Sequence, residues 1–146
     1  MNEQTSILSL MVKDHEEIET LIKKLDESID KEYEMMRKTF EQFEWKLEKH
    51  LFIEEKAIFT FYEPTDISNG YVMLPILMKQ HNFILNTLAI MRRQVNNGKA
   101  PQDHLQLRSF LQKHKNYEEK EVYPRLDDAL NNAQKKQIID RIQEFS

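Results

Sequence analysis

Two short stretches of this sequence carry the same chemistry-bearing frame. His50-Leu51-Phe52-Ile53-Glu54-Glu55-Lys56-Ala57-Ile58-Phe59 aligns with His114-Lys115-Asn116-Tyr117-Glu118-Glu119-Lys120-Glu121-Val122-Tyr123, giving H-x-x-x-E-E-K-x-[IV]-[FY]. On a helix, residues four apart lie about 40° apart in angle and about 6 Å along the axis. Each frame therefore offers one imidazole nitrogen and one carboxylate from one face. The nitrogen can hold a metal ion terminally. The carboxylate has two oxygens and can bridge to a second ion. Two lone histidines share a frame of their own: Ile18 and Ile22 follow His15, and Ile84 and Leu88 follow His81. His15 and His81 are 66 residues apart, and His50 and His114 are 64 apart. The chain thus reads as two helix hairpins of one design around a pseudo-twofold axis. Four imidazoles and two bridging carboxylates suit a dinuclear centre with ions about 3.5–4 Å apart. The candidate ligands are His15, His50, Glu54, His81, His114 and Glu118, a mixed set that suits iron, manganese or zinc.

Such a site needs long helices, and the chain supplies them. With 2 Gly and 4 Pro in 146 residues, turns are few. The strongest turn signals are residues 63–70 and 96–103, each mixing Pro, Gly, Asn and Asp. A weaker break falls at residues 26–30, where Asp30 is placed to cap a new helix, with Glu32 and Glu34 near its positive end. Helices are predicted over 5–28, 31–62, 71–96 and 102–123, with Pro124 ending or kinking the fourth and a short helix over 133–145. The expected architecture is all-α: an antiparallel up-down-up-down four-helix bundle with a short C-terminal helix, forming one domain over residues 1–146.

The apolar stripes show which residues face inward. Met36, Phe40, Phe43, Leu47, His50, Glu54, Ala57 and Phe61 recur at alternating spacings of four and three, the inner seam of a bundle helix. On the fourth helix Leu107, Phe110, Leu111, His114, Glu118 and Val122 share a face. On the third, Leu74, Leu77, His81, Ile84, Leu85, Leu88 and Val95 do. On the first, Ile7, Met11, Ile18, Ile22, Leu25 and Ile29 form the stripe, with His15 nearer its edge. A buried polar group without a partner costs about 1–3 kcal/mol, and a charge costs more. Polar residues at the seam of every helix therefore call for a shared partner. Other features are read as structural: His104 as a surface or helix-start residue, and Glu55 and Glu119 as solvated partners of nearby lysines. Glu19, four residues after His15, is set further off the stripe.

Composition narrows the classes. The absence of cysteine excludes disulfides, thiolate zinc sites and cysteine-ligated clusters. A formal net charge of −4 argues against nucleic acid as a partner. No run approaches the ~18 apolar residues of a membrane span. Residues Met1 to Ser9 lack a basic patch followed by an apolar run, so a cytoplasmic location is expected.

These residues resemble the hemerythrin family, including its bacterial and archaeal cation-binding domains, over roughly residues 8–125. The resemblance rests on Asp14-His15, Gln80-His81 and the two H-x-x-x-E-E-K frames. Ferritin-like di-iron bundles use E-x-x-H instead. The resemblance implies two non-heme irons, with manganese or zinc as the lesser alternatives. His15 and His50 would hold one iron and His81 and His114 the other. Glu54 and Glu118 would bridge them together with an oxo or hydroxo group. Oxygen-carrying members have a fifth histidine one turn after the third-helix histidine, where this chain has Leu85. The four-histidine, two-glutamate set looks more like the di-iron domains of iron–sulfur repair proteins and of some sensing domains. The expected partners are a small diatomic ligand or peroxide, with an electron donor or a protein partner. The functions that follow are binding or sensing of O2, NO or peroxide; an enzyme of nitrosative or oxidative stress defence that reduces NO or peroxide or releases iron for cluster repair; or a metal-dependent signalling module acting through a partner.

Overall fold

The computed structural model describes residues 6–60 and 70–145, the side chains of residues 70–73 excepted. Helix α1 spans Ile7–Ser28, α2 Tyr33–Ile53, α3 Gly70–Asn96, α4 His104–Tyr117, α5 Tyr123–Ala129 and α6 Asn132–Phe145. Helix α1 packs on α2 and α4, and α3 packs on the same two. The four make an antiparallel up-down-up-down bundle, and α6 lies across one end. The turn signal over 63–69, residues 61 and 62 of the second predicted helix and seam residue Phe61 lie outside the described residues.

Local sequence sets the helix ends. Ser6 caps α1 in a capping box with Ser9, each side chain bonded to the other's backbone N–H. The carboxylate of Asp127 accepts from the Ile7 and Leu8 N–H groups at 3.1 Å each, which ties α5 to the start of α1. Helix α3 ends on Gly98, whose φ of 80° lies in the left-handed region. The Gly98 N–H bonds to Val95 O and the Lys99 N–H to Gln94 O, closing the helix as a Schellman turn. Asp30 does not cap α2 as expected. The chain leaves α1 through a turn in which Lys31 N–H bonds to Ser28 O. The N-cap is therefore Glu32, which makes no side-chain cap bond, and Asp30 comes two residues too early.

Two departures from plain α-helix matter most. Helix α2 runs into a π-helical turn at Glu54–Phe59, and α4 into another at Glu118–Val122. Each begins on one of the two seam glutamates. A π turn takes an extra residue per hydrogen-bonded loop, so it moves the buried stripe on by one position. Adjacent residues Ala57 and Ile58 are accordingly both buried, as are Val122 and Tyr123. The second π turn also accommodates Pro124, which falls in the first turn of α5, where its missing N–H costs little. The fourth helix thus gives way before Pro124, as expected, and helical structure resumes as α5 to Ala129.

The core is split in two. One apolar cluster gathers Ile7 and Met11 with Ile53, Ala57, Ile58, Leu77, Val122 and Tyr123, and is closed by Leu126, Leu130, Ile138 and Ile142. The other gathers Ile18, Ile22, Leu25, Met36, Phe40, Phe43, Leu47, Leu51, Ile84, Leu88, Met91, Val95 and Leu107. Where these clusters meet, each helix of the bundle buries a histidine, and α2 and α4 each lead into a buried glutamate. Leu85 departs from the expected stripe: it is 38% exposed on α3. It therefore does not fill the interior beside His81.

Candidate metal centre

His15, His50, Glu54, His81, His114 and Glu118 are all buried, and both glutamates are fully so. Two sets of four can be drawn, each with one donor atom per residue and all donors within 4.8 Å of one another. The first set is His15, His50, Glu54 and Glu118; the second is Glu54, His81, His114 and Glu118. The sets share the two glutamates, which places these between the two histidine pairs. His15 and His50 rings are 4.9 Å apart between centroids, and His81 and His114 rings 5.3 Å.

The outer nitrogen of every imidazole is taken. His15 Nδ1 lies 2.7 Å from Glu119 Oε2 and His81 Nδ1 2.8 Å from Glu55 Oε2. His50 Nδ1 lies 2.5 Å from Asp14 Oδ2, and His114 Nδ1 2.5 Å from Gln80 Oε1. An acceptor on Nδ1 fixes the proton there and turns Nε2 inward as the free donor. The inward nitrogens crowd the two carboxylates. His15 Nε2 is 3.0 Å from Glu118 Oε1, and His81 Nε2 is 3.0 Å from Glu54 Oε1. His50 Nε2 is 3.5 Å from Glu54 Oε1 and His114 Nε2 is 3.2 Å from Glu118 Oε2. Those last contacts are ion-pair approaches without hydrogen-bond alignment. His50 Nε2, His114 Nε2 and Glu118 Oε2 are buried with no hydrogen-bond partner. Orphaned buried donors and acceptors are rare and need a reason. Three of them, meeting in one layer from α2 and from the α4 run, fit a cation that would take their lone pairs.

Without a cation, protons fill that role. Burial alone would push the His50 imidazole down, but Glu54, Asp14 and Glu118 outweigh it and raise its pKa to about 10. Burial opposes His114 in the same way, and Glu118 and Glu54 raise it to about 9. His81 is also raised, burial being overcome by Glu54 and Glu55. Glu118 is held well below the usual carboxylate range: burial would raise it, but the imidazoles of His114 and His15 and a bond to Glu54 prevail. A metal ion entering the layer must therefore displace protons.

Four partners were not assigned to the site by the sequence reading. Glu55 and Glu119, read as solvated partners of lysines, instead reach across to the histidines of the neighbouring helix. Asp14 and Gln80 precede the lone histidines in sequence but serve His50 and His114 on other helices. The repeat held a signal for the first pair, since the second glutamate recurs in both frames. Tyr123 adds a fifth: it is fully buried, its hydroxyl donates to Glu54, and its ring lies 6.1 Å from that of His15. Burial, Glu118 and Glu54 all raise its pKa well above the ordinary phenol value, so it stays a proton donor. Its counterpart in the repeat, Phe59, lies 6.1 Å from His81 at the same 31° tilt and has no hydroxyl. Glu19 stays out of the layer and pairs with Lys115 at 2.8 Å. His104 opens α4 and bonds Asp26 at 2.5 Å.

A cavity of about 70 Å³ meets the layer between α1 and α4. His15, His50 and His114 line its inner end with Ile18, Ile22, Leu47 and Leu111, while Glu19, Lys115 and Arg108 border its outer end. That space admits a few waters, and so a diatomic molecule or a peroxide. Among the described residues no helix is long and apolar enough to cross a membrane.

Comparison with known families bears on this geometry. The family model described as the Hemerythrin HHE cation binding domain matches residues 6–126. Comparison with curated proteins and with solved structures returned no match. The match includes all six polar residues of the buried layer, and the chain belongs to the hemerythrin family of cation-binding helical bundles.

Proposed function

We propose that His15, His50, Glu54, His81, His114 and Glu118 hold two iron ions, and that the protein binds or senses O2, NO or peroxide there. One observation carries the reading: two donor sets share Glu54 and Glu118 in a buried layer whose unpartnered atoms face each other. His15 and His50 would hold one ion and His81 and His114 the other, with Glu54 and Glu118 available to both. Bound iron would supply reversible electron transfer and two adjacent acid sites for a small oxidant. The chain's own residues do the rest. Glu55, Glu119, Asp14 and Gln80 orient the imidazoles. The apolar clusters flank the layer on either side. The cavity between α1 and α4 offers entry to a ligand of two or a few heavy atoms. Adding O2, NO or peroxide to anaerobically iron-loaded protein is expected to change its visible absorption. No change with any of the three would overturn the ligand reading.

The second reading is an enzyme that reduces peroxide or nitric oxide using an external electron donor. The Tyr123 hydroxyl favours it, as a buried proton donor on a bridging carboxylate. Multiple turnovers with added reductant, slowed in Tyr123→Phe at unchanged metal content, would support reduction. One stoichiometric reaction would return the choice to binding or sensing. Full occupancy by zinc or manganese in protein purified without chelator would displace iron from both readings.

A further inference from the structure

The two halves of the layer are built alike, so their differences can be read one against the other. Glu119 behind His15 corresponds in the repeat to Glu55 behind His81, and the two distances are 2.7 and 2.8 Å. Asp14 behind His50 corresponds to Gln80 behind His114, and both distances are 2.5 Å. Geometry is thus kept while charge is not: three of the four imidazoles are backed by carboxylates and the fourth by a neutral amide. Lys46 marks the same break. Its ammonium lies 2.5 Å from the other oxygen of Asp14 and 2.9 Å from Glu17. The matching position four residues before His114 is Phe110. Lys46 and His50 therefore hold Asp14 as a carboxylate, whereas nothing comparable is needed at an amide.

Resting on the dinuclear reading above, we propose that Asp14 and Gln80 make the two metal positions unequal, the His15/His50 position binding more tightly and filling first. A carboxylate on Nδ1 draws the N–H proton toward itself and enriches Nε2, which strengthens the bond to a cation. An amide oxygen orients the ring equally well but adds no charge. The His15/His50 position has two such anions behind it and the His81/His114 position has one. The Lys46 charge offsets part of this, yet it sits on the far oxygen of Asp14, beyond the hydrogen bond that acts on the ring. The cavity meets the same position, since both of its histidines line it and only His114 joins them from the other. Asp14 and Gln80 are positioning residues: they act through the imidazoles.

The test is a metal titration of the whole chain, read without any activity assay. Metal-free protein is titrated anaerobically with cobalt(II) against a competing chelator, following the visible bands of the bound ion. Two separable steps are expected. Asp14→Asn keeps the size and an acceptor oxygen, and is expected to weaken the tighter step by about 10–100-fold. Gln80→Glu is expected to tighten the weaker step by about 10-fold or more, a gain that a merely structural role would not give. The double variant should reverse the filling order, with His50→Ala and His114→Ala assigning each step to its position. Two bound ions whose steps neither substitution moves would overturn the ranking alone. Fewer than two ions in the unsubstituted protein would overturn the dinuclear reading and the ranking with it.

Discussion

Phe43 and Glu118 are equally buried, both at 0% exposure, yet they stand in regions that obey opposite rules. Around Phe43 the interior is apolar from all four helices, so burial itself is the stabilising term and partners are interchangeable in kind. Around Glu118 burial is a cost of several kcal/mol per charge, and the layer survives only because each group answers another. The buried members of the apolar cluster include no titratable group. The polar layer holds four imidazoles and two carboxylates, with protons in the places a cation would take. The clusters hold the helices, and on the proposed function the layer between them would trade protons for metal.

The largest separation of the two regions should come from truncation. Phe43→Ala removes a fully buried ring from the apolar cluster and is expected to cost about 3–5 kcal/mol. The same loss should appear in metal-free and metal-loaded protein by urea denaturation. Glu118→Ala should instead change the metal response. Metal at about 100 times its dissociation constant stabilises a folded protein by about 2.7 kcal/mol. That gain in melting temperature is expected in the unsubstituted protein and in Phe43→Ala, and absent in Glu118→Ala.

Next in size is pH. His50 and His114 are raised above their unfolded value of 6.5, to about 10 and about 9. Raised imidazoles contribute stability that is fully present below pH 6.5 and is lost as the pH climbs through 9 to 10. Metal-free protein should therefore lose urea resistance across that window. Metal-loaded protein, whose imidazoles carry no proton on Nε2, should lose less. Apparent metal affinity should rise over the same range, because the displaced protons become easier to remove. A flat profile in metal-free protein would mean that the layer is held by something other than protons.

The smallest effect belongs to neither region. Asp127→Ala removes the carboxylate from the first N–H groups of α1 and is expected to cost about 0.5–2 kcal/mol. The loss should be equal with and without metal and independent of pH above the carboxylate range. A loss that grows on metal loading would tie the end of α1 to the position of His15.

The helices and the polar seam were legible because each is a property of one helix at a time. His50 and Glu54 stand out on the seam from Met36 to Ala57, and the repeat pairs them with His114 and Glu118. What escaped the sequence depends on how helices are phased against each other. Glu55 looks solvent-directed on its own helix, about 100° from Glu54. The π turn and the neighbouring α3 bring it to His81. Asp14 and Gln80 were visible as neighbours of histidines, but their service to different histidines is a fact of packing. Tyr123 reaches Glu54 only because the π turn shifts the stripe by one residue. Leu85 fits the apolar spacing of α3 yet faces outward. Asp30 failed for a local reason, a turn that uses up the expected cap, while Pro124 marks a break in the fourth helix, where a π turn gives way to α5.

If the six buried residues hold two metal ions together, each of them should be needed for full metal content. The most direct measurement is the metal content per chain of protein purified without chelator, beside His81→Ala and Glu118→Ala. Close to two irons per chain are expected, with His81→Ala depleted and Glu118→Ala, which loses a carboxylate shared by both donor sets, depleted further. No metal in the unsubstituted protein, even after anaerobic loading with ferrous iron, or equal metal in all three proteins, would contradict the two-metal reading.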